Sequence, residues 1–198
     1  MPAIGITGGV ATGKSSFVRA LLKQMPVECF DADRCVHDLL ASDAGLHAEI
    51  HAAFPTLPPG DGVDRTALRE IVFRSEEARR TLETLIHPRV RAVWQPQASV
   101  ARALQAVHFF DIPLLYETGI EAEFDRILVI ACSPEIQRQR MAENRGLASE
   151  VITGMINAQF DLLAKVARAN HVVWNDGSPS ALEAQARLFA TYLRESYG

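Results

Sequence analysis

Short, mostly apolar runs alternate with longer amphipathic stretches along much of the chain. The runs are Ala3–Thr7, Val27–Phe30, Val107–Ile112, Arg126–Ala131 and His171–Trp174, all of strand length. Apolar residues at helical spacing follow most of them, over Lys14–Met25, Asp33–Leu40, Pro134–Glu143 and Ser180–Tyr192. In the first helix Phe17, Val18, Leu21, Leu22 and Met25 carry that spacing. This alternation predicts an α/β fold with a parallel five-stranded sheet flanked by helices on both faces. Such sheets bind their ligands at the carboxyl ends of the strands.

Between Ser42 and Leu104 the pattern changes. Helical spacing dominates, no strand is evident, and a Pro/Gly-rich break from Pro55 to Gly62 divides the segment. Pro88 and Pro96 are expected to interrupt or start helices there. The reading is a single domain whose core takes in about 1–41, 105–133 and 170–198, with a helical insertion over about 42–104 and a second helical segment, a lid, over about 134–169. Arg138, Arg140, Arg145, Lys165 and Arg168 lie in that lid.

At 198 residues the chain is long enough for one domain with a sizeable core. It is 48% hydrophobic and 22% charged, ordinary for a soluble protein. The net charge of −4 argues against a surface that coats nucleic acid. Cys29, Cys35 and Cys132 are scattered and odd in number, which points to a reducing compartment and away from a disulfide framework or a zinc site. No apolar run approaches the ~20 residues needed to span a bilayer, and no leader is evident, so the expected location is the cytoplasm with no membrane partner. The oligomeric expectation is a monomer or a weak homo-oligomer.

Gly8 to Ser15 read Gly-Gly-Val-Ala-Thr-Gly-Lys-Ser, which fits the phosphate-binding loop G-x-x-x-x-G-K-[ST]. It sits between a strand and a helix, the setting the motif needs. Gly8, Gly9, Val10, Ala11, Thr12 and Gly13 would curl so that backbone N–H groups face anionic oxygens, and the helix N-terminus at Lys14, Ser15 and Ser16 would add positive potential. Lys14 would serve the β- and γ-phosphates of ATP, and the Ser15 hydroxyl would ligate Mg²⁺.

Other candidate groups follow strand ends. In Phe30-Asp31-Ala32-Asp33, one acid can cap the next helix and the other can take a proton from a substrate hydroxyl; Asp31 is read as the cap and Asp33 as the reactive carboxylate. Asp111 closes its strand either as a turn residue or as a Walker B acid that holds Mg²⁺. Arg140 serves either a solvated face or a lid that brings cations to a migrating phosphoryl group. Asn175-Asp176-Gly177 is a plain turn or lies against adenine. His47 and His51, four apart without a third ligand, are read as an exposed helix face.

Taken together, these segments resemble the dephospho-CoA kinases almost end to end. The residues that carry the resemblance are Ile6-Thr7-Gly8-Gly9 and the phosphate loop, Asp31-Ala32-Asp33, Asp61 to Leu68, Leu82-Glu83, His87-Pro88, Asp111 to Gly119, Gln159, Lys165 and Asn175-Asp176-Gly177. The resemblance implies a three-layer P-loop NTPase fold with a helical substrate-binding insertion and a helical lid. It implies transfer of phosphate from ATP to the ribose 3′-hydroxyl of dephospho-CoA, the last step of coenzyme A synthesis. By the same resemblance Asp33 is the base, Arg65 and His87 hold the acceptor, and Leu114, Leu115, Tyr116 and Glu117 line its pocket. Arg140 belongs to the lid, and Asn175 and Gly177 to the adenine end.

The chain departs from that family at three points. Ala11 stands where a glycine is usual, Asn144 where a second lid arginine is usual, and Asn170 where an acid is usual. Arg145 is adjacent to Asn144 but projects about 100° away on a helix. Two other functions fit the phosphate loop: another small-molecule kinase, for a nucleoside or nucleoside monophosphate, and a non-enzymatic nucleotide switch. The switch reading suffers from the lack of a guanine-recognising Asn-Lys-x-Asp.

Overall fold

The structure is a computed structural model that describes residues 2–197, with the side chains of Asn144 and Arg145 outside the described set. The expectation attached to Arg145 therefore lies outside the described residues. The chain divides into two compact units, one of Met1–Phe30 with Ala98–Gly198 and one of Asp31–Gln97.

The first unit holds the sheet. β1 (Ala3–Gly8), β2 (Cys29–Asp31), β3 (His108–Asp111), β4 (Arg126–Ala131) and β5 (His171–Trp174) run in the order β2-β3-β1-β4-β5. β1 pairs with β3 and with β4, and β4 with β5, all in parallel. β1 is central and wholly buried, which explains why it reads as an unbroken apolar run rather than an alternating one.

One face of the sheet packs on α1 (Lys14–Gln24) and α9 (Pro179–Tyr197). Ile4, Ile6, Phe109, Leu128, Ile130 and Val173 from the strands meet Phe17 and Leu21 of α1 and Ala186, Phe189 and Ala190 of α9. On the opposite face Leu115 and Phe124 lie so close to Gly5 that a Cβ there would sit 2.6 Å from Leu115 Cδ1. α8 (Leu162–Arg168) packs against β4, and α6 (Pro134–Arg145) against α7 (Ser149–Asn157). Helices thus cover both sides of a parallel sheet, as the hydrophobic pattern predicts.

The second unit is helical: α2 (Ala32–Ser42), α3 (Ala44–Ala53), α4 (Arg65–Arg74) and most of α5 (Glu76–Ala103). Three of these four helix starts are written in the sequence as acids. Asp31 caps α2 through the Arg34 N–H, Asp43 caps α3 through the Leu46 N–H, and Asp64 caps α4 through the N–H groups of Thr66 and Ala67.

Two expectations are corrected here. Pro88 and Pro96 neither start nor end a helix; both lie inside α5. The residue after each proline donates its side chain to the carbonyl four positions back: Arg89 Nη1 to Leu85 O at 2.8 Å and Gln97 Nε2 to Val93 O at 3.2 Å. A proline ring disturbs the carbonyls of the preceding turn, and these side chains satisfy one of them at each site. His47 is not on an exposed face: it is buried, with Nε2 3.1 Å from Leu40 O, whereas His51 is half-buried with Nε2 3.1 Å from Gly62 O.

Candidate active site: a gripped phosphate loop

The loop between Gly8 and Lys14 is a tight turn. Thr12 bonds to Gly9 O twice, through its N–H at 3.3 Å and its hydroxyl at 2.9 Å. Ala11 and Gly13 take left-handed backbone angles, with φ of 59° and 89°. Gly13 needs that freedom and also the space, since a Cβ there would lie 2.2 Å from Asn175 Nδ2. Ala11 adopts the conformation at a cost of about 1 kcal/mol relative to glycine. The first turn of α1 has no side-chain cap, which leaves its leading N–H groups to an anion.

Asp111 ends β3 opposite Ile6 of β1, beside the start of the loop. It is buried, and its carboxylate pairs with the Lys14 ammonium. Ser15 and Ser16 are exposed in the first turn of α1. Ser15 and Asp111 are both hard oxygen donors, and Mg²⁺ in phosphoryl-transfer sites takes only one or two protein ligands besides phosphate and water. The donor chemistry fits that ion, and no cluster of three or more acidic, His or Cys ligands occurs among the described residues.

Around the loop, side chains from α6, α8, the α7–α8 connection and the end of β5 supply a set of grips. Gln159 Oε1 accepts from Val10 N–H at 2.7 Å, and Gln137 Nε2 donates to Val10 O at 2.7 Å. Arg140 donates to Thr12 O at 3.4 Å and to Asn175 O at 2.9 Å. Asn175 Nδ2 donates to Thr12 O at 2.8 Å, and its N–H reaches Ala131 O at 2.7 Å. Lys165 is fully buried beneath the loop, with its ammonium 2.7 Å from Glu117 Oε1, 3.3 Å from Gly8 O and 3.5 Å from Pro113 O. Cys132 lies at the start of α6 near Arg140. Burial pushes its thiol up to about 11 against the pull of Arg140, so it stays neutral near pH 7.

The segment after β3 forms a second cluster in the same unit. Leu114 is half-buried, and Leu115 is fully enclosed. The Tyr116 ring stacks on Phe160 at 6.1 Å, and the Arg168 guanidinium lies 4.9 Å from the Tyr116 centroid. Glu117 Oε1 also accepts from Phe160 N–H at 2.9 Å, while Glu117 Oε2 and the Tyr116 hydroxyl are buried with no hydrogen-bond partner among the described residues. Asp176 accepts from Ser133 N–H and Trp174 Nε1, which ties β5 to the head of α6, and the exposed Gly177 follows it.

The remaining candidates belong to the second unit. Asp31 is the cap that the sequence predicts, and Asp33 is exposed in the first turn of α2. Arg65 opens α4 and is exposed, and His87 is half-buried in α5 just before Pro88. The loop functions of Gln137 and Asn175 and the burial of Lys165 are not evident from sequence. Gln159 figures there only in the family resemblance, without a stated role.

The chain is similar to known proteins along nearly its whole length. The family model described as dephospho-CoA kinase matches residues 2–180. A dephospho-CoA kinase of Anaeromyxobacter dehalogenans is 38% identical over 100% of this chain and 95% of its own. A solved Thermus thermophilus structure is similar with a TM-score of 0.79 at 32% identity, covering 99% of this chain and 98% of its own. The dephospho-CoA kinase of Campylobacter jejuni gives a TM-score of 0.66 at 25% identity, covering 96% of each chain. A strand–loop–helix phosphate cradle, a helical second unit and a match along nearly the whole sequence together establish that the chain belongs to the dephospho-CoA kinase family.

Proposed function

We propose that the protein transfers the γ-phosphoryl group of ATP to the ribose 3′-hydroxyl of dephospho-CoA and releases ADP and coenzyme A. The observation that carries this reading is the uncapped phosphate loop with Lys14 set beside Asp111, in a chain of that family. Phosphoryl transfer asks the protein for positioning and charge compensation rather than covalent chemistry. The N–H groups of the loop and of the first turn of α1, apart from those of Val10 and Thr12, would hold the phosphates, and Lys14 would exchange its bond to Asp111 for phosphate oxygens. Ser15 and Asp111 would hold Mg²⁺, which when bound offsets charge on the β- and γ-phosphates.

Asp33 would accept the proton of the 3′-hydroxyl as the new P–O bond forms and the bond to the leaving ADP oxygen breaks. Its exposed carboxylate has no hydrogen-bond or ion-pair partner among the described residues, which suits a group meant for substrate. Arg65 and His87 would hold the acceptor, with Leu114, Tyr116 and Glu117 along its pocket and Leu115 behind them. Asn175 and Gly177 would border adenine, and Arg140 would bring positive charge with the lid. We place this work in the cytoplasm, on small molecules and without nucleic-acid or membrane partners, as a monomer or weak homo-oligomer. The net charge of −4 favours that choice of ligand. Among the described residues no helix is long and apolar enough to cross a membrane.

ADP release measured against dephospho-CoA, adenosine, AMP and CMP tests the substrate. Turnover is expected with dephospho-CoA alone; equal turnover with AMP or CMP would instead make this a nucleoside monophosphate kinase. Asp33→Asn tests the base. Nucleotide affinity is expected to stay within about threefold while kcat falls by roughly 10²–10⁴-fold, and full activity would remove Asp33 from that role.

A further inference from the structure

Both backbone groups of Val10, in the phosphate loop, are held by side chains from far along the chain. Its N–H goes to Gln159, 149 residues away, and its C=O accepts from Gln137, 127 residues away. Gln137 stands on α6 and is 5% exposed; Gln159 lies between α7 and α8 and is half-buried. Both bonds are 2.7 Å, short for an amide pair. A backbone N–H can only donate and a carbonyl can only accept, so the chemistry at each glutamine is fixed by its partner. Gln159 must present oxygen and Gln137 must present nitrogen.

A third observation comes from Gly9. A Cβ at that position would lie 3.0 Å from Gln137 Nε2 and 3.5 Å from Leu162 Cδ1. A side chain at Gly9 would therefore have to displace the Gln137 amide by a few tenths of an ångström, which shows how closely that amide lies on the loop. The neighbouring peptide at Thr12 is held in its own way by Asn175 and Arg140, so the Val10 clamp is a separate attachment.

We infer that Gln137 and Gln159 are positioning residues that clamp the Val10 peptide and thereby set the shape of the ATP-phosphate cradle from the lid. The Val10 N–H is turned away from the phosphates and spent on the lid, and the amides that follow it are left to face the anion. The lid segment then shapes the loop even where it does not touch nucleotide. This rests on the ATP-dependent kinase reading for its consequence, though the clamp itself can be seen without nucleotide.

Amide hydrogen exchange at Val10, read by NMR on the nucleotide-free protein, tests the clamp directly. Protection is expected in the wild type, loss of protection in Gln159→Ala, and retained protection in Gln159→Glu, which keeps an acceptor. Fast exchange at Val10 in the folded wild type, or protection unchanged in Gln159→Ala, overturns the inference. Kinetics test the consequence: Gln159→Ala and Gln137→Ala should each raise KM for ATP about fivefold, with a smaller change in kcat. Gln137→Glu should do no better than Gln137→Ala, because a carboxylate cannot donate to a carbonyl. Recovery of wild-type KM in Gln137→Glu would overturn the donor assignment. Failure of the wild type to bind or consume ATP would refute the kinase reading instead, and leave the exchange result to decide the clamp.

Discussion

A lysine with no exposed surface is costly unless every proton on its ammonium finds an oxygen. Lys165 meets that demand with three acceptors from three places: the Glu117 carboxylate, the last carbonyl of β1 and the carbonyl of Pro113. Glu117 in turn depends on it, since its other contact is a single N–H from Phe160. Removal of one partner leaves a buried charge uncompensated, while removal of both does not. Lys165→Met is therefore expected to cost about 3–5 kcal/mol in urea unfolding, and Lys165→Met with Glu117→Leu distinctly less than the two single costs added together. Strict additivity would show that the pair is not coupled. Asn170 shows the opposite economy. Its side-chain oxygen accepts from Ile127 N–H at 2.7 Å, a task that needs an acceptor and not a charge, so the departure from the family's usual acid leaves this bond in place.

At the scale of elements, α5 is the instructive case. It runs through two prolines, either of which would ordinarily cost about 3 kcal/mol in a helix interior. Its first turn is well founded: Ser75 caps it through the Ala78 N–H, and Glu76 pairs with Arg80 at 2.6 Å. Arg89 bonds both the Leu85 carbonyl and Glu49 of α3, which ties two helices together at the first proline. Gln97 has the carbonyl task alone at the second, among the described residues. Gln97→Ala should thus cost about 0.5–1 kcal/mol in the native sequence and close to nothing in a Pro96→Ala background, measured by denaturant midpoints. Equal costs in both backgrounds would separate the glutamine from the proline. Sequence reading expects a break at each proline because it counts the lost N–H without the bond that the next side chain makes to the preceding turn.

For the whole molecule, the legible part and the hidden part have different physical origins. The five strands are legible because short apolar runs recur along the chain, most of them followed by helices, and Arg126–Ala131 and His171–Trp174 are read to the residue. The phosphate loop, the Asp31 cap and the strand-end Asp111 are legible because local spacing alone determines them. Gln137, Asn175, Lys165 and His47 are not, since each is a polar residue whose burial depends on what the fold brings over it. A glutamine that grips a peptide and one that faces water look the same in one dimension. The sheet order resolves the difference: β1 sits between β3 and β4, so everything that follows those strands converges on the end of β1.

The phosphate loop occupies residues 8–15, yet its holdfasts are Gln137, Gln159, Lys165 and Asn175. The loop is thus made well before the residues that hold it. Until Asn175 has emerged, a nascent chain carries the motif without its native supports, and nucleotide affinity should mature only after that point.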